Sequence, residues 1–257
     1  GDEALDHVKR MHQESLFANP VTFLMCLKAI GSMGAVNKGI QIHVGIVKAD
    51  SIEEDRMLSN ALVGMYAKCG ALANAKYAFD HLLDRDVVSW SSIIGGYAQH
   101  GHVNEVVGML EKMEREDGLL PNDVTFLSIL SGCSHSGRVD EAQTYYENMS
   151  RKYGISPKVE HHTCMVAVFG CAGCFGKAMS VIKMMPSSNN PSVWLALLEA
   201  CRKWGNVKLG RLAFDHAIQI DHNLSTAYIL MCKIYAAAGM KKDAKIVEIM
   251  RVSAKGS

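Results

Sequence analysis

The sequence predicts an all-α solenoid, a right-handed superhelix of antiparallel helical hairpins. Three observations predict it. First, a five-residue phrase closing on glycine recurs seven times: Ile30-Gly-Ser-Met-Gly34, Tyr66-Ala-Lys-Cys-Gly70, Tyr97-Ala-Gln-His-Gly101, Cys133-Ser-His-Ser-Gly137, Phe169-Gly-Cys-Ala-Gly173, Cys201-Arg-Lys-Trp-Gly205 and Tyr235-Ala-Ala-Ala-Gly239. Second, the closing glycines are 36, 31, 36, 36, 32 and 34 residues apart, a period that marks stacked helix pairs. Third, the apolar residues around each phrase follow helical spacing, and no convincing strand alternation competes. The handedness follows by analogy with other arrays of helix pairs. In such an array each unit packs mainly on its neighbours, so function is expected on one long concave face, at equivalent positions of successive repeats.

The elements follow in order. The opening Gly1-Asp-Glu-Ala-Leu looks like the second helix of a repeat whose first helix is missing. Residues 1–19 are therefore expected to be a partial repeat, and the chain a piece of a longer protein. Units 20–55 and 56–86 each place a closing glycine, Gly34 or Gly70, after a first helix. The unit 87–122 is the clearest. Ile93, Ile94 and Tyr97 share one face of its first helix. Gly101 ends that helix, as a residue free to take positive φ should. Val103, Val106, Val107, Leu110 and Met113 then mark one face of a second helix. Gly118 and Pro121 break the pattern. From Asp123 the scheme repeats with Ile129, Leu130, Gly137, Val139, Ala142, Tyr145, Tyr146 and Met149. Phe23, Trp90 and Phe126 are assigned to the core between repeats rather than to a ligand.

Composition narrows the function classes. A 49% hydrophobic share and 21% charged residues argue for a packed chain and against disorder. The formal net charge is +1. Non-specific nucleic-acid binders usually show a marked basic excess, so any nucleic acid must be held by local patches and base contacts. Eight cysteines are too few for a disulfide scaffold in a chain of 257 residues. Cys26, Cys133, Cys201 and Cys232 fall in apolar helical patterns, which points to core packing in a reducing compartment. No apolar run reaches the roughly 20 residues a membrane helix needs, and no membrane partner is expected.

The register carries a family resemblance. Val87-Val-Ser-Trp-Ser-Ser-Ile-Ile-Gly-Gly-Tyr-Ala-Gln-His-Gly101 and Leu58-Ser-Asn-Ala-Leu-Val-Gly-Met-Tyr-Ala-Lys-Cys-Gly70 resemble pentatricopeptide repeats. The alternation of long and short units resembles the PLS subclass of land-plant organelles. It parses residues 20–190 as long (20–55), short (56–86), P-type (87–122), long (123–158) and short (159–190) units. Val159-Glu-His-His-Thr-Cys-Met-Val is similar to the last short unit of that subclass. Val193-Trp-Leu-Ala-Leu-Leu-Glu-Ala-Cys-Arg with Gly205-Asn-Val-Lys-Leu-Gly210 resembles the first E motif, over 191–224. Ala227-Tyr-Ile-Leu-Met-Cys-Lys-Ile-Tyr-Ala-Ala-Ala-Gly239 resembles the second, over 225–257. The resemblance implies a specificity factor for C-to-U RNA editing in mitochondrion or chloroplast. Its repeats would read single-stranded RNA, and its E region would dock a deaminase domain or an editing partner.

In that family the fifth and last residues of a unit jointly contact one base, and the second packs on base faces. Carried onto this chain, Asn60 with Asp86 favours uracil. Ser91 with Asn122 favours adenine, and Thr163 with Asn190 leans the same way. Met57, Val88 and Val124 become the base-packing residues. Glu160 departs from the aliphatic pattern. Leu24 and Leu127, at the fifth place of the long units, can neither donate nor accept. The expected footprint is U-A-N-A. The residue types suit contact with base edges, since Asn donates and accepts, Asp only accepts, and Ser does either. Asn, Ser and Asp are equally the types that cap helices, so capping is the competing reading. Glu116-Asp-Gly118 looks like a one-residue insertion, which would shift the register of Asn122.

Other chemistries fare worse. Cys171-Ala-Gly-Cys174, near Cys164, His161 and His162, has metal-ligand spacing. It straddles a hairpin turn where other units carry Lys68 or Gln99, so no metal or other cofactor is assigned. A deaminase needs His-x-Glu with a downstream Pro-Cys-x-x-Cys. His12-Gln-Glu14 supplies the first half, but Gly170 rather than proline precedes Cys171, and no enzyme is expected in this chain. A protein-interaction scaffold of tetratricopeptide type remains the alternative, favoured by the near-neutral charge.

Overall fold

The computed structural model describes residues 20–48, 56–185 and 190–254. The expected partial repeat 1–19, with His12 and Glu14, lies outside them. The described residues form fourteen helices and no strand. These are α1 (Pro20–Met33), α2 (Val36–Lys48), α3 (Arg56–Lys68), α4 (Leu72–Asp80), α5 (Val87–Gln99), α6 (Val103–Arg115) and α7 (Asp123–Ser136), then α8 (Val139–Arg151), α9 (Val159–Cys171), α10 (Phe175–Met184), α11 (Pro191–Trp204), α12 (Val207–Ile220), α13 (Ser225–Ala237) and α14 (Lys241–Ala254).

Glycine closes the first helix of each hairpin. All seven closing glycines take positive φ, between 66° and 79°. At Gly101 the geometry is complete: its N–H donates to Ala98 O at 3.0 Å, and His102 N–H donates to Tyr97 O at 2.9 Å. These two hydrogen bonds satisfy carbonyls in the last turn of α5 where the chain reverses. A residue with a Cβ would be strained at that φ.

The contacts divide the chain into residues 1–136 and 137–257. In the first unit, α1, α3, α5 and α7 stack side by side as first helices. Each of α1, α3 and α5 also packs on its own second helix, α2, α4 or α6. Leu27, Ile30, Leu58, Val63, Ile93, Ile94, Phe126 and Ile129 fill the layer between them. Phe23, Trp90 and Phe126 are buried there as expected. Trp90 meets Phe79 edge-on at 4.6 Å and donates its indole N–H to Asp117 at 2.7 Å. On α6 the buried stripe is Val106, Met109, Leu110 and Met113. Val107, expected inside, is 44% exposed, because at 100° per residue it falls off the edge of that stripe and Met109 takes its place.

In the second unit α8 packs on α9, and α9, α11 and α13 stack as first helices against α10, α12 and α14. Trp194 stacks flat on His216 at 4.1 Å, and Phe214 meets Tyr228 at 5.3 Å. Cys26, Cys133 and Cys201 are core residues, whereas Cys232 is half-exposed. No helix among the described residues is long and apolar enough to cross a membrane.

Small residues set how closely first helices approach. Gly96 on α5 abuts Ala67 on α3, and Gly132 on α7 abuts the backbone of Ala98 on α5. A Cβ at either glycine would fall inside contact distance of that neighbour. In the second unit Gly170 on α9 faces Ala200 on α11 in the same way.

Candidate nucleic-acid interface

The first helices α3, α5 and α7 line an open groove of about 370 Å³. Its wall includes Val88, Ser91, Asn122 and Val124, and further along the helices Lys68, Gln99 and His135. Just N-terminal to each of α5, α7 and α11 stands a residue expected to read a base: Asp86, Asn122 and Asn190. Each is the N-cap of the helix that follows. Asp86 accepts from Ser89 N–H at 2.8 Å, and Ser89 Oγ accepts from Asp86 N–H at 2.9 Å. Asn122 accepts from Thr125 N–H at 3.0 Å, and Thr125 Oγ1 accepts from Asn122 N–H at 3.2 Å. Both are reciprocal capping boxes. Asn190 accepts from Ser192 N–H at 2.9 Å, with Pro191 opening α11. Asn122 thus holds the same place before α7 as Asp86 holds before α5, and the extra residue near Gly118 is absorbed in the loop before it.

Capping does not exclude pairing. Asn60, on the first turn of α3, donates from Nδ2 to Asp86 Oδ1 at 3.1 Å. A carboxylate can only accept, so the amide must turn its N–H to Asp86 and its carbonyl oxygen away. That oxygen is buried and has no hydrogen-bond partner among the described residues. Asn60 is 8% exposed and Ser91 6%. Both therefore sit deeper in the crease between first helices than the sequence suggested. A buried carbonyl left unpaired costs about 1–3 kcal/mol, which a ligand N–H would recover.

Ser91 is joined to Asn122 through a third side chain. Its hydroxyl lies 2.7 Å from Val87 O and 2.8 Å from Thr125 Oγ1. Thr125 Oγ1 lies 3.1 Å from Asn122 Oδ1. Thr163 and Asn190 are not brought together: Thr163 donates back to Val159 O at 2.9 Å, and no hydrogen bond joins the two among the described residues. The second-position residues Met57, Val88 and Val124, together with Val21 on α1, are 54–69% exposed. Val21 was legible by the same spacing and was missed. Ser89 and Thr125 were also missed, although Asp86-x-x-Ser89 and Asn122-x-x-Thr125 carry the capping-box spacing. No cluster of three or more metal-ligating side chains occurs among the described residues.

A model of the PPR repeat family matches residues 85–135, and the PPR repeat itself matches 124–153 and 160–190. The hairpins within residues 85–190 are pentatricopeptide repeats. Similar proteins agree with this. A chloroplastic pentatricopeptide repeat-containing protein of Arabidopsis thaliana is 36% identical over 238 residues, covering 93% of this chain and 28% of its own length. Another from the same plant is 36% identical over 250 residues, covering 97% of this chain and 42% of that protein. The chain thus spans less than half the length of these relatives. Among solved structures, the maize pentatricopeptide repeat protein PPR10 aligns with a TM-score of 0.59 at 17% identity, over 99% of this chain and 37% of its own. PPR10 in complex with an 18-nt psaJ RNA element aligns with a TM-score of 0.72 at 16% identity, over 99% and 38%. Both share the fold of these pentatricopeptide repeats.

Proposed function

We propose that this chain binds single-stranded RNA along the first-helix groove and reads it one base per repeat. The observation that carries this is the buried Asn60 carbonyl oxygen, left without a hydrogen-bond partner among the described residues while its amide donates to Asp86. A base presenting a ring N–H beside a carbonyl, as uracil does, satisfies that oxygen. The exposed Val88 and Val124 flank the neighbouring pair and offer apolar faces to bases splayed from a single strand. The RNA complex of PPR10, similar in fold, supports the same ligand class.

The wider role rests on the resemblance. The PLS and E-motif register, with the 191–224 and 225–257 boundaries, supports a specificity factor for C-to-U editing in mitochondrion or chloroplast. Three relatives named as chloroplastic support an organellar address. The E region would dock a deaminase domain or editing partner, and the exposed Ile246, Ile249 and Val252 of α14 give it an apolar face for that purpose.

The test is binding of short single-stranded RNAs carrying U-A-N-A against a G-C-N-C permutation at fixed salt, with Asn60→Ala and Ser91→Ala alongside. Preference for U-A-N-A, lost in both variants, supports base readout. Sequence-blind binding that survives both substitutions refutes it. Absence of any binding turns the assignment to the protein-scaffold alternative.

A further inference from the structure

We infer that Thr125, the third residue of the repeat that follows, is a positioning residue that sets which base the Ser91–Asn122 pair accepts. The inference rests on the base-reading function proposed above and deepens it. Thr125 is fully buried and its hydroxyl faces three polar neighbours: Ser91 Oγ at 2.8 Å, Asn122 Oδ1 at 3.1 Å and Asn122 N at 3.2 Å. The Asn122 N–H brings its own proton. The remaining contacts, including that of Ser91 with Val87 O, number three, and Ser91 and Thr125 bring one hydroxyl proton each. Both protons are therefore spent inside the network. Ser91 is left with a lone pair and no hydrogen to offer a base. Asn122 has its carbonyl oxygen engaged by Thr125 N–H at 3.0 Å, so its Nδ2 is the group turned outward. The pair then presents one acceptor and one donor, which match the 6-amino group and N1 of adenine.

The other two pairs give the comparison. At the same third position the first pair has Ser89, whose hydroxyl folds onto the Asp86 backbone at 2.8 Å, leaving Asn60 to bond Asp86 directly. The last pair has Val193 there, buried and without a hydroxyl, and Thr163 and Asn190 are not joined. Ser91 and Asn122 are joined through the threonine hydroxyl, which bonds both. Without it Asn122 keeps its cap bond and its amide orientation, but the Ser91 hydroxyl keeps only Val87 O and can turn its proton to the base, so that it no longer presents an acceptor alone.

The experiment uses the whole chain and four single-stranded RNAs that differ only at the second base of U-A-N-A. Thr125→Val keeps the side-chain shape and copies the Val193 arrangement, and Thr125→Ser restores a hydroxyl. The preference for adenine should fall about fivefold in Thr125→Val, the worth of one lost hydrogen bond, and return in Thr125→Ser, with affinity for the other three RNAs nearly unchanged. An adenine preference untouched by Thr125→Val overturns the inference and leaves base readout standing. An equal loss on all four RNAs also overturns it, since that is damage to the fold. A wild-type chain that ranks the four RNAs equally overturns base readout at this pair and the inference with it.

Discussion

Two side-chain pairs hold second helices to the first helices that follow them. His43 on α2 lies 2.9 Å from the Tyr66 hydroxyl on α3, and Tyr146 on α8 lies 2.8 Å from His162 Nδ1 on α9. Burial pushes the Tyr146 hydroxyl up to about 12, so it stays protonated beside the imidazole. Burial lowers the affinity of His43 for a proton. His162 is lowered by burial first and by neighbouring His161 second. Both histidines bind protons less readily folded than unfolded, so acid favours the unfolded chain. Stability should hold above the ordinary histidine value of 6.5 and fall as pH drops below it, until the lowered folded-state values are passed. Urea unfolding at neutral and mildly acidic pH checks this. His162→Gln, which keeps an acceptor for Tyr146, should flatten the slope, and an unchanged slope would show that other groups set it. At this scale the sequence was only half legible. Asn, Asp and Ser at these positions announced both capping and base contact; Asp86, Asn122 and Asn190 do cap, whereas Asn60 bonds Asp86 and Ser91 bonds back to Val87 O. That Asn60 would bond Asp86, and that Thr125 would stand between Ser91 and Asn122, needed the distance between two helices that no local pattern encodes.

Among the helices, glycine plays two opposed parts. Gly132 sits where α7 meets the backbone of Ala98, while Gly108, inside α6, has nothing within 4 Å of where a Cβ would be. Gly132→Ala should cost about 1–3 kcal/mol as an overpacked contact. Gly108→Ala should gain about 0.5–1 kcal/mol from a stiffer unfolded chain and better helix propensity. Chemical denaturation of the two variants decides it. Equal effects would mean that α5 and α7 can part at little cost. The helices themselves were plain in the sequence, because the closing glycines and the apolar spacing are local signals. The inward face of α6 was one residue off, since Val107 and Met109 straddle the edge of a stripe that only packing can draw.

For the whole chain, the net charge of +1 constrains how the proposed RNA would be held. The groove is lined by one lysine, Lys68, and one histidine, His135, with no arginine. Each phosphate neutralised contributes a slope of about −0.7 to log affinity against log salt for a single strand, so a slope near about −1 is expected. Titration at several salt concentrations measures it, and a slope steeper than about −3 would move the binding to basic residues outside the groove. The net charge was readable from composition, but its placement along three stacked helices was not. The abutment of Ala67 on Gly96 and of Ala98 on Gly132 reaches further than stability. The helices so pressed together carry pairs proposed to read bases, so those small residues set the metre between them. A methyl group added at one joint would lengthen a single beat, and the pairs on its two sides would meet a strand out of phase. Such a variant would keep its cadence within each half of the site and lose it across the joint. It would bind two short words well and the sentence they compose poorly.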